Sequence, residues 1–281
     1  MPDRPFDPMR LAAAELGQDA PMRLVRHVDA ASLFRSLADA MLEHARRANA
    51  SGRRACIVVP VGPIGQYRYL VERCNRERVS LERLVIIAMD EYCTVEGEWI
   101  PEEDPMSFRG FLRRNVLERL DRALRPVPGA LVVPDPTDLG AVKRCIGAVG
   151  GVDAVFGGIG MNGHVAFNEP APDVDPDAYR ATSTRVVDLD PTSRVVNALM
   201  CAGGNVSAMP QRCVTIGLAE ILAAQSIHLA CVHPWQSAAV RMALHGAPSS
   251  TWPVTLLQGH PDVTIWVTPA SVEQPAMPGL P

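Results

Sequence analysis

The sequence predicts one α/β domain built on a single doubly wound, mostly parallel sheet with helices on both faces. Three short apolar runs, at 55–60, 84–89 and 152–158, do not alternate with polar residues. Strands of this kind are covered on both faces. Segments with helical spacing of their apolar residues separate the runs, and this order favours parallel strands joined by right-handed crossovers.

The elements follow in order along the chain. Asp29 is the expected N-cap of the first long helix, because apolar residues recur at helical spacing directly after it. We predict strands at 22–25, 55–60, 84–89, 130–133, 152–158, 213–216, 226–232 and 263–267. We predict helices at 30–48, 67–77, 107–124, 139–149, 194–200, 218–225 and 235–244. The segment 170–191 is rich in Pro and Asp and is expected to be a loop.

The ends of the chain lack these patterns. Residues 1–21 are expected to form a leader that is poorly ordered or holds a short helix. Residues 22–270 are expected to form the α/β domain, and residues 271–281 a tail. No composition shift within 22–270 indicates a second domain.

Composition narrows the class of partner. The 281 residues carry a net charge of −4 without a basic stripe, which disfavours nucleic acid and anionic membranes as partners. No run approaches the length of a membrane helix. The seven cysteines are scattered and form no CxxC pair, so reduced thiols in a cytoplasmic protein are expected. The expected partner is a small molecule.

Unusual residues follow three of the predicted strands, where α/β folds bind their ligands. These segments are 60–65, the acidic pair at 90–91, and the glycine-rich stretch 157–169, which contains a histidine and a glutamate. Taken singly, they have ordinary explanations as a tight turn, a cap and a structural histidine. Taken together, they bring an imidazole and two carboxylates to one crevice, which suits proton transfer on a sugar.

Several separated motifs resemble the glucosamine-6-phosphate deaminase family. FGGIGMNGHVAFNEPA at 156–171 is similar to the family signature, in which a glycine-rich turn leads to His and then to AFNEP. AMDEY at 88–92, SRVVN at 193–197 and TWPVTLLQGHP at 251–261 fall in family order. The related 6-phosphogluconolactonases share the fold but normally lack the AFNEP run.

The resemblance implies a role for each matching residue. Asp90 matches the base that moves a proton between C2 and C1 of the open-chain amino sugar. His164 matches the ring-opening histidine, and Glu169 matches the carboxylate that supports it. The same resemblance implies neither a metal nor an organic cofactor. The substrate is expected to contact a further set of residues near these three: Glu91, Gly160, Met161 and Gly163.

The chain departs from the family at the histidine turn. The family has an acid two residues before the histidine, whereas this chain has Asn162. An amide can orient the imidazole by hydrogen bonding but supplies no charge, so Asn162 is included among the catalytic residues. The alternative is that it only holds the glycine-rich turn.

The chain departs further at the phosphate site that the resemblance implies. The family loop Thr-Gly-Gly-Thr is replaced by Val61, Gly62, Pro63 and Ile64. Proline lacks an N–H donor, and both hydroxyl groups are lost. Leu199 stands where counting from SRVVN places a family arginine, and Gln236 stands where a lysine is expected. Phosphate recognition is therefore expected to be altered.

Four functions fit these residues. The first is isomerisation and deamination of a 2-amino-2-deoxy sugar or sugar phosphate with altered phosphate recognition. The second is the ordinary glucosamine-6-phosphate deaminase, with substitute phosphate ligands among Arg113, Arg114, Arg194 and His233. The others are a non-catalytic sugar-binding or regulatory protein and a lactonase-type hydrolase on the same fold. Family members are often homo-oligomers, but no feature of this sequence fixes the state.

Overall fold

Ten strands build two sheets in the computed structural model, which describes residues 7–274. The strands are β1 (Arg23–Arg26), β2 (Ala55–Val59), β3 (Leu84–Ala88), β4 (Asp90–Cys93), β5 (Leu131–Val132), β6 (Val152–Gly158), β7 (Arg185–Asp188), β8 (Arg212–Thr215), β9 (Ala224–Cys231) and β10 (Val263–Val267). Seven of them form the main sheet in the order β1-β10-β9-β6-β2-β3-β5. Every neighbouring pair in that sheet is parallel, as the sequence predicts.

Helices cover both faces of the main sheet. The α-helices of the described residues are α1 (Ala30–Ser51), α2 (Gln66–Glu77), α3 (Phe108–Leu112), α4 (Ala141–Val149), α5 (Pro176–Arg180), α6 (Pro191–Cys201), α7 (Leu218–Leu222), α8 (Ser237–His245) and α9 (Pro269–Val272). Buried side chains of α1, α2 and α3 share one apolar cluster, while those of α4, α7 and α8 share another. No helix within residues 7–274 has the length and apolar character needed to cross a membrane.

The central strands explain why the sheet is covered on both sides. All five positions of β2 and all five of β3 are buried. Successive side chains of a strand point to opposite faces. Accordingly, Ile57 and Ile86 join the α1 cluster, whereas Val58 and Ile87 join the α8 cluster. The unbroken apolar runs in the sequence thus reflect two cores, one on each face.

A second sheet corrects the prediction of a single one. Strands β4, β8 and β7 form a small antiparallel sheet in the order β4-β8-β7. The chain changes sheets at Met89, whose amide donates to Val59 O in the main sheet while its carbonyl accepts from Ile216 N. Asp90 is therefore the first residue of a strand that turns away from β3.

The prediction of a loop at 170–191 is wrong for part of that segment, which contains α5 and β7. Asp175 caps α5, and Pro176 occupies the first turn of the helix. Asp190 and Pro191 begin α6 in the same way. Proline is well suited to the first helical turn, where its missing N–H would have no partner in the helix. These Asp-Pro pairs therefore begin helices, although the composition indicates a loop.

The helix predicted at 107–124 is broken into pieces. α3 has five residues, and a π-helical turn follows at Arg113–Leu117, with Glu118 N donating to Arg113 O at 2.9 Å. A separate 3₁₀ turn spans Arg122–Leu124. The spacing of apolar residues does not distinguish one continuous helix from a series of short helical turns. Both arrangements place Leu112, Val116 and Leu120 in the same core.

Both described ends of the chain pack against α8. Leu16 is buried, and the fully buried Arg241 on α8 donates to the carbonyl oxygens of Leu11 and Val272. The short helix expected within the leader corresponds to a 3₁₀ turn at Pro8–Arg10. α9 places Val272 in the core. The parts of the predicted leader and tail at 1–6 and 275–281 lie outside the described residues.

Candidate active site

A cavity of about 630 Å³ opens beyond the carboxyl ends of β2, β3, β6 and β9. Each of these strands contributes the segment that follows it: 60–65 after β2, 89–90 after β3, 158–164 after β6 and 232–236 after β9. Parallel strands bring these segments to one edge of the sheet. The cavity therefore lies where the sequence predicts the ligand site.

Asp90 lies in this cavity because the chain leaves the main sheet at Met89, directly before it. The residue is 7% exposed, and no group among residues 7–274 donates a hydrogen bond to its carboxylate. Burial raises the pKa of Asp90 to about 8, and the neighbouring charge of Glu91 adds to this increase. A carboxylate with this pKa can both take and return a proton near neutral pH.

Glu91 does not line the cavity, so its assignment as a substrate ligand is corrected. It is fully buried and accepts hydrogen bonds from Ser107 Oγ and from the backbone N–H groups of Tyr92, Phe108 and Arg109 at 2.8–3.0 Å. Two of these N–H groups belong to the first turn of α3. Glu91 therefore anchors that helix beside Asp90.

His164 is held at one ring nitrogen by three oxygen atoms. Its Nδ1 lies 2.8 Å from Asn162 Oδ1, 3.1 Å from Glu169 Oε2 and 3.2 Å from Ser193 Oγ. With a carboxylate and an amide oxygen facing it, Nδ1 must carry a proton and donate. The other ring nitrogen, Nε2, is then the proton acceptor that a ligand in the cavity meets.

Asn162 connects the histidine to the glutamate. Its Nδ2 donates to Glu169 Oε2 at 2.8 Å, while its Oδ1 faces His164 Nδ1. The carboxylate can only accept, so it fixes the orientation of the amide, and the amide in turn fixes which nitrogen of the ring is protonated. Asn162 thus supplies orientation to the imidazole through a neutral group.

Glu169 keeps a negative charge despite its burial. Burial raises the pKa of this carboxyl, but the charge of His164 and hydrogen bonds from His164, Ser193 and Asn162 outweigh that effect and leave the pKa below its usual value. Its Oε1 is buried without a partner among the described residues. The side chain can therefore accept one more hydrogen bond.

Ser193 belongs to this cluster although the sequence does not mark it as a site residue. It is buried in the first turn of α6, and its Oγ contacts both His164 Nδ1 and Asn162 Nδ2, the latter at 3.5 Å. It is the first residue of the SRVVN motif. The motif could have indicated Ser193 as a site residue. Ser193 lies 29 residues after His164 in the chain, however, so the sequence alone does not show that the two side chains are in contact.

The glycine-rich turn fits closely around the histidine ring. Gly160 N donates to His164 O at 2.9 Å, and Gly163 N donates to Gly160 O at 3.0 Å. A Cβ on Gly160 would lie 2.2 Å from His164 Cε1, and one on Gly163 would lie 2.7 Å from the Trp252 ring. Gly160 and Met161 line the cavity, whereas Gly163 supports the turn from behind.

We expect Gly160→Ala to lower kcat by about 10- to 100-fold, because the added methyl group must displace the His164 ring by about 1 Å. The measurement is turnover together with thermal unfolding. Gly147→Ala in α4 is the matched control, since its added methyl meets nothing within 4 Å. Equal turnover in the two variants would show that the position of the ring does not limit the rate.

The loop after β2 forms an apolar side of the cavity. Val61, Gly62, Pro63 and Ile64 all line it, and the Gly62–Pro63 peptide bond is cis. The Phe34 side chain packs against this loop, where a Cβ on Gly65 would lie 2.2 Å from its ring. All four predicted residues of this loop therefore lie beside the cavity.

Two other predicted substrate ligands are placed differently. Gln236 lines the cavity, but its Oε1 accepts from the N–H groups of Val232 and His233, and its Nε2 donates to Ile159 O. Leu199 is 69% exposed and lies outside the cavity lining, which corrects its assignment. Asn197 and Met200, on the adjoining turns of α6, line the cavity in its place.

Three of the four proposed substitute phosphate ligands also lie outside the cavity lining. Arg113 pairs with the Glu102 carboxylate, Arg114 donates to the Glu102 carbonyl, and Arg194 donates to Val206 O. His233 does line the cavity, where its ring stacks on Trp235 at 5.1 Å. Burial lowers the pKa of His233, which favours the neutral form.

The sequence and the fold both have close counterparts among known proteins. A glucosamine-6-phosphate deaminase of Beutenbergia cavernae is 36% identical over 218 residues, which cover 75% of this chain and 77% of the relative. A glucosamine-6-phosphate deaminase of Porphyromonas gingivalis is 30% identical over 246 residues, with 85% and 88% covered. No protein-family model matches the sequence.

Solved structures with the same fold cover nearly the whole chain. A monomeric glucosamine-6-phosphate deaminase superposes with a TM-score of 0.77 at 22% identity, covering 90% of this chain and all of that one. A 6-phosphogluconolactonase of Trypanosoma brucei superposes with a TM-score of 0.66 at 13% identity, covering 92% and 100%. At these identities the superpositions establish the fold alone.

Proposed function

Since the chain belongs to the glucosamine-6-phosphate deaminase family, we propose that it is an enzyme that isomerises and deaminates a 2-amino-2-deoxy sugar or sugar phosphate. The observation that carries this proposal is the shared cavity of Asp90 and His164, with the histidine held by Glu169 and Asn162. The arrangement offers a buried base and a separately oriented imidazole, which are the two proton-transfer groups that such a reaction requires.

The imidazole serves the first step, in which the cyclic sugar opens. The ring oxygen must gain a proton while the hydroxyl group at C1 loses one. His164 Nε2 can accept the proton of the hydroxyl and return it to the ring oxygen, since Nδ1 is held in place by Asn162 and Glu169. The imidazolium that forms in between is stabilised by the negative charge of Glu169.

Asp90 serves the second step, in which the proton moves from C2 to C1. The carboxylate takes the C2 proton, the C2 electron pair forms a C1–C2 double bond, and the aldehyde oxygen takes one proton from the ammonium group of the substrate. The Asp90 carboxyl then returns its proton to C1, and the nitrogen lone pair forms the C2–N double bond of a protonated ketimine. Bringing the protonated amine of the substrate beside Asp90 favours ionisation of the carboxyl, although burial opposes it.

Water completes the reaction. It adds to the ketimine carbon, and the C2–N bond breaks to leave a ketose and ammonia. One water is consumed for each ammonia released, so the net reaction is hydrolytic. The shift from aldose to ketose is an internal exchange of oxidation level between C1 and C2.

The experiment that tests this function measures ammonia and ketose together. Glucosamine 6-phosphate and glucosamine are each supplied to the purified protein, and we expect equal amounts of ammonia and of the corresponding ketose from at least one of them. 2-Deoxyglucose, which lacks the amino group, is the control and should give neither product. Absence of both products from both amino sugars would overturn the proposed function.

The expected compartment is the cytoplasm. All seven cysteines are free thiols, and five of them are buried in the core. Proteins of oxidising compartments more often pair their cysteines in disulfides. The proposed partner is a small sugar substrate, and the proposal is supported by the cavity that Asp90 and His164 both line.

A further inference from the structure

The cavity lining contains no strong cation. Among the described residues that line it, the ionisable side chains are those of Asp90, Tyr92, His164, Cys201 and His233. None of these is lysine or arginine, and burial lowers the pKa of His233. Apart from the imidazole that opens the sugar ring, the described lining residues therefore offer no charged side chain suited to neutralise an anion at neutral pH.

One side of the cavity is apolar instead. We call Phe34, Val61, Pro63 and Ile64 the apolar wall. The wall lies beside the end of β6, where a Cβ on Gly158 would be 3.0 Å from Pro63 Cδ. The buried Gln66 side chain is turned back onto the loop, with Nε2 donating to Pro63 O at 2.7 Å and Oε1 without a partner among the described residues. The wall thus presents hydrocarbon to a ligand.

Two polar side chains near the wall are engaged in hydrogen bonds to the backbone. Tyr67 donates its hydroxyl to Pro60 O, and Gln236 uses its amide on Val232, His233 and Ile159. A phosphate dianion that entered here would lose water without gaining a charged partner. Desolvating such an ion without compensation costs several kcal/mol, whereas phosphate sites in proteins normally supply Arg or Lys.

We infer that the substrate is a 2-amino-2-deoxyhexose whose carbon-6 end is uncharged, bearing a hydroxyl or a methyl group and no phosphate. The inference rests on the proposed function, because Asp90 and His164 engage C1, C2 and the ring oxygen. In this inference carbon 6, the far end of the sugar from C1 and C2, lies against the apolar wall. An uncharged group at this position needs no counter-ion there.

The first test compares substrates with and without the phosphate. We expect kcat/KM for glucosamine to exceed that for glucosamine 6-phosphate by about tenfold or more, which corresponds to about 1.4 kcal/mol. Equal values, or a preference for the phosphate ester, would overturn the inference. The first turn of α2 still offers backbone N–H groups, and a preference for the ester would assign the phosphate to them.

The second test measures binding without turnover. 2-Amino-2-deoxyglucitol and its 6-phosphate cannot be isomerised, and their affinities can be compared by calorimetry. Tighter binding of the unphosphorylated amino alcohol is expected, even if neither sugar releases ammonia; in that case the proposed function fails, while the preference for an uncharged carbon 6 stands. Ammonia release accompanied by tighter binding of the phosphate would leave the function standing and overturn the inference.

The third test adds the missing charge. Ile64 is 49% exposed at the cavity, so a longer polar side chain can be accommodated there. Ile64→Lys is compared with Ile64→Met, which has similar length and no charge. We expect the lysine variant to bind 2-amino-2-deoxyglucitol 6-phosphate about tenfold more tightly than the methionine variant does, with little difference for the unphosphorylated 2-amino-2-deoxyglucitol. The same affinity in both variants would show that carbon 6 does not reach the wall.

Discussion

Asp90→Asn should lower kcat by about 1,000-fold or more, because the amide cannot take the C2 proton, and positioned bases contribute about 100- to 10,000-fold. The side chain is nearly isosteric and accepts no hydrogen bond from the described residues, so the fold should be retained. Turnover is measured by ammonia release, with circular dichroism as the check on folding. Unchanged turnover would remove the base assignment.

The same substitution should stabilise the protein at alkaline pH. The folded pKa of Asp90 is about 8, well above the value of 3.8 for an unperturbed aspartate. Between these values the folded state binds more protons than the unfolded state, so the contribution of Asp90 to stability falls as pH rises from about 4 to about 8. Asparagine does not titrate and avoids this loss.

Urea unfolding of both proteins at pH 5 and pH 8.5 checks this linkage. Each unit of displaced pKa corresponds to about 1.4 kcal/mol, so we expect the advantage of Asp90→Asn to be larger at pH 8.5 by more than about 1 kcal/mol. In the wild-type enzyme kcat/KM should rise with pH through about 8, as the base ionises. A stability difference that is the same at both pH values would contradict the raised pKa.

His164→Gln should lower kcat/KM for a cyclic amino sugar by about 100-fold, because glutamine can hydrogen-bond but cannot carry a proton between two oxygen atoms. The loss should be much smaller for 2-amino-3-hydroxypropanal, an amino aldehyde too short to close a stable ring. Comparing the two substrates isolates ring opening from the later steps.

Thermal unfolding of the same variant provides the control for folding. A loss of equal size on both substrates would place His164 in the proton transfer at carbon and not in ring opening. The difference between substrates is informative because Asp90 and the rest of the cavity are unchanged in this variant.

The main sheet could be predicted from the sequence because its central strands are apolar without interruption. The run at 84–89 needs cover on both faces whatever surrounds it, and α1 and α8 provide that cover from opposite sides. The second sheet could not be predicted in this way. β4 reads Asp-Glu-Tyr-Cys, a polar sequence, and its burial comes from pairing with β8, more than 100 residues later in the chain.

The candidate site was predictable where one motif carries several residues. Asn162, His164 and Glu169 lie within eight positions, so the turn that places one places all three. Glu91 shows the limit of such reasoning. Neighbouring residues of a strand point to opposite faces, so the position beside Asp90 is directed away from the cavity and into the core.

The departures in phosphate recognition required coordinates to interpret. The sequence shows which family residues are absent, but not whether other cations replace them. In the structure Arg113 and Arg194 are engaged elsewhere, and the loop after β2 forms most of the apolar wall. The altered residues thus define a surface of a different chemical character.

The fate of the hydrogen at C2 most directly tests the proposed chemistry, in which a base in the cavity removes the C2 proton before ammonia is released. An amino sugar carrying deuterium at C2 is converted by the enzyme, and the product is analysed by nuclear magnetic resonance. We expect deuterium to leave C2 with every ammonia released, appearing at C1 of the ketose or in water, and to slow the reaction. Recovery of product that retains deuterium at C2 would show that the C2–H bond is never broken and would contradict the proposed chemistry.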